Sequence, residues 1–246
     1  MSKIAVILAA AGKSSRFGDP FTNKVFATVA GRPLWMYSAE KFSGRPDVGQ
    51  VLIAISRDDK ELFNEKFAGN AAMLGIQAVL GGAQRADTVR IALQEVRADL
   101  PLVAIHDAAR PCIADAWIDR VFATAEKTGA AILATRCAST LKRVRADLTI
   151  AETVPREGMW LAQTPQVFRT DWLKAAFDKH PHSSRMTDEA SLLESLPAEV
   201  KDQLNIGPVS VVEGSPLNIK VTTKSDLRFV ELALKALPKA KPFPFG

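Results

Sequence analysis

The residues Ala10-Ala11-Gly12-Lys13-Ser14-Ser15-Arg16, with Asn23-Lys24 close behind, combine small side chains, one glycine and fixed positive charges. Small residues and glycine let a ligand approach the backbone closely. Arg16 and Lys24 supply the charge that a phosphate chain needs. The segment directly follows Ile4–Leu8, an apolar run of the kind that forms a buried parallel strand. Together these features point to nucleotide chemistry at the carboxyl end of the first strand, where open α/β sheets bind their ligands. Two competing nucleotide motifs fail. Ser14 and Phe17 stand where G-x-G-x-x-G needs glycine, and no Walker-type Gly-Lys-Ser/Thr is present.

Four further clusters fall at or just after expected strand ends. Gly81-Gly82-x-x-Arg85-x-Asp87-Thr88 offers close backbone approach to a flat base, or simply a glycine turn opening a helix. In His106-Asp107-Ala108-Ala109-Arg110-Pro111, Asp107 is suited to a hard cation such as Mg²⁺ and Arg110 to a phosphate. The plainer alternative is a structural Asp–Arg pair, with His106 satisfied by a neighbour. A basic stretch brings Thr140, Lys142, Arg143 and Arg156, followed by Thr164-Pro165-Gln166. Finally, Asn218-Ile219-Lys220-Val221-Thr222 reads as a short strand whose alternation aims Asn218 and Lys220 at one face. There Asn218 would join Asp107 at a metal and Lys220 would meet phosphate.

These clusters must be positioned by an α/β framework. Strands are expected at Ile4–Leu8, Val51–Ser56, Ile76–Leu80, Leu102–His106 and Ala131–Thr135, with helices between them at Pro33–Phe42, Asp58–Ala68, Arg85–Val96 and Asp115–Lys127. Such alternation predicts a Rossmann-like, mostly parallel sheet flanked by helices. Asp115 suits a helix N-cap. From Ser139 the chain turns polar and β-like, with a strand near 149–154 and no crossover helix, so an arm over about 139–160 is expected to project from the sheet. An isolated hairpin is marginally stable, so a second subunit is expected to cover it. Helices at Thr170–Lys179, Asp188–Leu196 and Lys224–Leu237 and strands at Val209–Glu213 and Ile219–Thr222 complete one domain, 1–237. The proline-containing tail 238–246 is expected to fray.

The 246 residues carry a formal charge of +5, a single tyrosine and four tryptophans, so a nucleic-acid groove with stacking aromatics is disfavoured. Small anionic substrates account for the charge. No apolar run approaches the length needed to cross a bilayer. The eight apolar residues after Lys3 are short for a signal peptide. Cys112 and Cys137 lack metal-like spacing, read as free thiols and suit a cytoplasmic protein.

In this order, the blocks Ala10-Ala11-Gly12-x-x-x-Arg16, Lys24, Gly81-Gly82-x-x-Arg85-x-Asp87-Thr88, His106-Asp107-Ala108-Ala109-Arg110-Pro111, Thr164-Pro165-Gln166, Thr187-Asp188-Glu189-Ala190 and Asn218-Ile219-Lys220-Val221-Thr222 resemble the 2-C-methyl-D-erythritol 4-phosphate cytidylyltransferases. These are CTP-using enzymes of the non-mevalonate isoprenoid pathway. The resemblance implies that Ala10, Ala11, Gly12, Gly82 and Thr88, with Arg85 beside them, hold the nucleotide. Arg16, Lys24 and Lys220 would neutralise its triphosphate. Asp107, Arg110, Thr140, Arg156 and Thr164 would hold the acceptor, with Thr140 and Arg156 acting across a homodimer interface made by the arm. Mg²⁺ is the expected cofactor. The chain departs from the family pattern at Asn23, Ala83, Ser139 and Pro155 and by one extra residue in the first loop. A sister enzyme using ribitol 5-phosphate, a nucleotide-binding homologue without turnover, and a nicotinamide dehydrogenase are the alternatives.

Overall fold

The computed structural model describes residues 4–12, 14, 17–18, 23–180 and 187–238. Among these, β1 (Ile4–Ala9) leads to a 3-10 turn at Lys24–Phe26, the two-residue strands β2 (Thr28–Val29) and β3 (Arg32–Pro33), and α1 (Leu34–Phe42). Next come β4 (Val48–Ile55), α2 (Lys60–Lys66), α3 (Ala68–Met73), β5 (Ile76–Leu80), α4 (Arg85–Gln94), β6 (Leu102–Asp107), α5 (Asp115–Thr128) and β7 (Ala130–Arg136). The second half holds β8 (Leu141–Val144), β9 (Ile150–Val154), β10 (Trp160–Arg169), α6 (Thr170–Lys179), α7 (Glu189–Glu194), α8 (Ala198–Leu204), β11 (Ser210–Glu213) and α9 (Asp226–Ala236).

Seven strands form one sheet in the order β11-β7-β10-β6-β1-β4-β5; β10 runs antiparallel to both neighbours and the other pairs are parallel. The chain first walks from β1 outward to β4 and β5, then returns to place β6 on the other side of β1. The crossovers therefore part between β1 and β6, which opens a crevice at their carboxyl ends. Register pairs Ala9 with Asp107 at that crevice.

Strand alternation explains why this edge is rigid. Ile4, Val6 and Leu8 face one core with Trp35, Phe42 and Phe122, while Ala5 and Ile7 face the other with Val89, Leu93 and Phe168. Each such isoleucine or leucine, fully buried, contributes about 1.5–3 kcal/mol.

The sheet departs from expectation in one central place. No strand was expected directly after the arm, yet β10 runs in the main sheet between β6 and β7. Its run Gln163-Thr164-Pro165-Gln166 hides the strand pattern, since proline and buried polar residues argue against a central strand. The register shift between Ala162 and Gln166 against β7 accommodates it. The arm itself is the two-stranded β8–β9 hairpin, separate from the main sheet.

Smaller corrections have local causes. Residues 219–222 are not a strand; a backbone bond from Val221 N–H to Ala109 O (2.8 Å) ties them to the β6 loop. The helix expected at Asp58–Ala68 breaks at Phe67 into α2 and α3. Asp115 is the first residue of α5 rather than its N-cap, and its carboxylate pairs with Lys41 at 2.9 Å. The short α8 follows Pro197 where no element was expected. The tail expectation falls on residues 238–246, of which only Pro238 is among the described residues.

Candidate active site

Backbone pairing continues past the strand ends. Ala10 N–H donates to Ala54 O (2.9 Å), Gly81 N–H to Ile55 O (2.7 Å) and Ala108 N–H to Ala9 O (3.1 Å). These bonds hold three loops side by side around a cleft lined by Ala10, Ala11, Gly12, Lys24, Arg85 and Thr88. Gly81 must be glycine here, because a Cβ would stand 2.7 Å from that of Ala11 and 2.8 Å from the Thr88 side chain. Gly82 does its work in the turn, donating its N–H to Thr88 Oγ1 (3.1 Å), while the Thr88 hydroxyl donates to Gln84 O (2.9 Å). Thr88 thus shapes the glycine turn as well as lining the cleft. Arg16 lies outside the described residues.

A second cleft, lined by Arg110, Thr164 and Asp188, shares Arg85, Asp107 and Lys220 with the first. Asp107 is the centre of both. Its carboxylate meets Lys220 Nζ at 2.7 Å, Arg85 Nε at 3.2 Å and Arg110 Nε at 3.5 Å. Burial alone would raise its pKa, but Arg85, Lys220 and Arg110 hold it well below the usual carboxylate range. Arg110 also donates from Nη1 to Asn218 O (2.8 Å), which braces the irregular 218–222 segment against β6. With Lys24, the two clefts gather four cationic side chains around one central carboxylate. An anion entering either cleft is therefore attracted, and Asp107 keeps the cations ordered until it arrives.

Arg85 is anchored from behind by Glu189, with Nη1 and Nη2 at 2.5 and 3.0 Å from the carboxylate oxygens. Glu189 is 1% exposed. Burial pushes its carboxyl above the ordinary glutamate range, against the opposing pull of Arg85. Gln166 of β10 sets this anchor: its Oε1 accepts from Glu189 N–H (3.2 Å) and Ala190 N–H (3.1 Å), and its Nε2 donates to Asp188 (2.9 Å). One of the polar residues that hid β10, Gln166, thus docks α7 on the site. Glu189 lay within a quoted block but had no expected role. Its partner is 104 positions away, so no local spacing could reveal it.

His106 is fully buried, which lowers its pKa to about 4. Nε2–H donates to Arg110 O (3.1 Å), so Nδ1 accepts from the Thr164 hydroxyl (3.1 Å), whose oxygen accepts Asp107 N–H (3.0 Å). Neutral His106 therefore orients Thr164 and Asp107, and at neutral pH it is not the imidazolium that could serve as an acid. Because its folded pKa lies below the ordinary 6.5, its contribution to stability is complete above pH 6.5 and is lost as pH falls toward 4. The loss should approach about 3 kcal/mol. Urea unfolding of wild type and His106→Gln across this range checks it; equal slopes for the two proteins would contradict the assignment.

Thr140 and Arg156 lie on the exposed arm and line neither cleft. Arg156 instead donates to Ala138 O at the root of the arm. Asn218 donates to Gln163 Oε1 (3.2 Å) and Thr164 O (2.9 Å), and its buried Oδ1 has no hydrogen-bond partner.

Residues 4–236 match the family model described as IspD, 2-C-methyl-D-erythritol 4-phosphate cytidylyltransferase. The chain belongs to this family. A 2-C-methyl-D-erythritol 4-phosphate cytidylyltransferase from Rhodopirellula baltica is 38% identical over 95% of both chains. One from Bacillus velezensis is 34% identical over 94% of this chain and 95% of its own. The crystal structure of the Francisella tularensis enzyme of that name superposes with a TM-score of 0.77 at 31% identity, covering 95% of this chain and all of that one. IspD membership agrees with the fold and the nucleotidyltransferase class expected from the sequence blocks. Of the departures, Asn23 lines the first cleft, Ala83 follows the glycine turn beside it, and Ser139 and Pro155 sit on the arm.

Proposed function

We propose that this chain transfers CMP from CTP to 2-C-methyl-D-erythritol 4-phosphate, releasing pyrophosphate, in isoprenoid precursor synthesis. One observation carries the mechanism: the two clefts meet at Arg85, Asp107 and Lys220. CTP occupies the first, with its base toward Ala10, Ala11 and the glycine turn and its phosphates toward Lys24 and Lys220. The acceptor phosphate occupies the second, against Arg110 and Thr164. An acceptor oxygen then attacks the α-phosphorus in line, a P–O bond forms, and the α–β bridge breaks to expel pyrophosphate.

A phosphate monoester has a second pKa near ~6, so it is already a nucleophile at neutral pH. No general base is needed, in agreement with a His106 held neutral by its burial and bonded on both nitrogens. The barrier comes from negative charge gathering at the α-phosphorus, and Lys24 and Lys220 lower it by stabilising that charge as it grows. Fixing both substrates across one shared wall contributes the proximity.

The expected metal pair, Asp107 with Asn218, fits poorly. The Asp107 carboxylate already faces three cations, and among the described residues no group of three or more His, Cys, Asp or Glu could hold a metal. Magnesium usually keeps waters and phosphate oxygens as ligands. Mg²⁺ is therefore proposed to arrive as part of the substrate, on the CTP phosphates.

The arm supports a homodimer. Val144, Leu148 and Ile150 are 49%, 85% and 59% exposed on it, and grouped apolar exposure of this kind marks an interface. Arg156 and Thr140 would then reach the acceptor in the partner's cleft. Arg156→Ala is expected to raise the KM for the acceptor about tenfold or more, as loss of a charged phosphate contact does, with the KM for CTP unchanged. An unchanged acceptor KM would remove the arm from the acceptor site. Among the described residues no helix is long and apolar enough to cross a membrane, and a cytoplasmic location is proposed.

A further inference from the structure

Asn23 stands where three segments around the nucleotide cleft meet. Its Nδ2 donates to Asp59 Oδ2 (2.8 Å), Gly12 O (3.1 Å) and Ala10 O (3.3 Å). Two hydrogens serve three acceptors, so one is shared. Its Oδ1 accepts from the Ser14 hydroxyl (2.7 Å) and from Val25 N–H (3.4 Å). Ser14 Oγ in turn accepts Lys24 N–H (3.1 Å). On the far side, the Ser56 hydroxyl, at the end of β4, donates to the same Asp59 oxygen (2.6 Å). One amide thus joins the loop after β1, the turn that carries Lys24, and the segment after β4.

Past Ala10, whose N–H bonds to Ala54 O, residues 11, 12 and 14 of the loop after β1 lie in no strand. The bonds of Asn23 and Ser14 therefore carry much of its shape. Ser14 even adopts a positive φ of 50°, an unfavourable region for a residue with a Cβ. Its hydroxyl is held there by Asn23 on one side and Lys24 N–H on the other. Asn23 itself lines the cleft.

On the reading of CTP as the nucleotide, we propose that Asn23 is a positioning residue, a latch backed by Asp59 that presents the Ala10–Gly12 backbone and Lys24 to the triphosphate as one preformed surface. A preformed surface binds without the cost of ordering the loop at the moment of binding. The latch acts on the nucleotide and leaves the acceptor cleft alone, because none of its bonds reaches Arg110, Thr164 or Asp188.

Calorimetric titration with CTP, without acceptor, tests it alongside steady-state kinetics. Asn23→Ala is expected to weaken CTP binding about tenfold, the equivalent of one or two lost hydrogen bonds, with the KM for the acceptor within about twofold of wild type. Asp59→Asn, which alters the support without touching the cleft, should weaken CTP in the same direction by a smaller factor. Combining Asn23→Ala with Asp59→Asn should cost little more than Asn23→Ala alone, because both act through one bond. CTP affinities within about twofold of wild type in both single variants would overturn the latch. Equal losses for CTP and acceptor would also overturn it, since they would mark a general loss of structure. Wild type that binds no CTP would overturn the nucleotide reading itself, and the latch with it.

Discussion

Lys24→Ala is expected to lower kcat by about 10²–10³-fold, the range found when a donor to developing transition-state charge is removed. Its melting temperature should stay within about 2 °C of wild type, as for substitutions away from the core. The two readouts separate because of how the turn is built. Val25 and Phe26 are buried, at 2% and 5% exposure, and Asn23 caps the turn by accepting Val25 N–H, so the fold of the segment rests on Lys24's neighbours. The Lys24 side chain lines the cleft on the side away from Arg110. A loss confined to KM would mean that Lys24 binds ground and transition states alike. Near-normal turnover would remove it from the reaction.

Asp107→Asn should fail differently, losing stability and activity together. The substitution keeps the shape but leaves Lys220, Arg85 and Arg110 crowded with no central counter-charge. Removing one partner of a buried ion pair costs about 3–5 kcal/mol. For a chain of this size that is a fall of roughly 10 °C in melting temperature. Inorganic pyrophosphate should restore part of the loss in the variant, because a bound anion replaces the missing charge. The wild-type contribution follows from the depressed pKa of Asp107: it is present above the ordinary carboxylate pKa and lost as pH falls below it. The acid limb of stability should therefore extend below the window set by His106. A variant that melts with wild type and ignores pyrophosphate would show that the cations do not depend on Asp107.

Much of the framework was open to reading because parallel strands covered on both faces must be apolar throughout. Ile4–Ala9, Leu102–Asp107 and Ala130–Arg136 declare themselves in this way, and the clusters at their carboxyl ends follow. β10 did not, because its centre is Gln163-Thr164-Pro165-Gln166 and each of these polar side chains is satisfied by a partner distant in sequence. The same distance hid part of the site. Asn23 reads as a departure from a family pattern, and only its bonds to Gly12 and to Asp59, 36 positions on, reveal a task. Lys220, expected to meet phosphate from a strand, pairs with Asp107 from an irregular segment braced by Arg110. Residue types and order carried the chemistry. The cross-links that set its geometry needed the fold.

The measurement that bears most directly on the two-cleft mechanism is pyrophosphate release from CTP and Mg²⁺, with 2-C-methyl-D-erythritol 4-phosphate and ribitol 5-phosphate as parallel acceptors. Release with the first acceptor and not the second is the expected result, and it should fall about 10²–10³-fold in Lys24→Ala. Release with ribitol 5-phosphate alone would contradict the acceptor assignment while keeping the fold and the nucleotide chemistry. Silence with both acceptors would contradict transfer across the Arg85, Asp107 and Lys220 wall altogether.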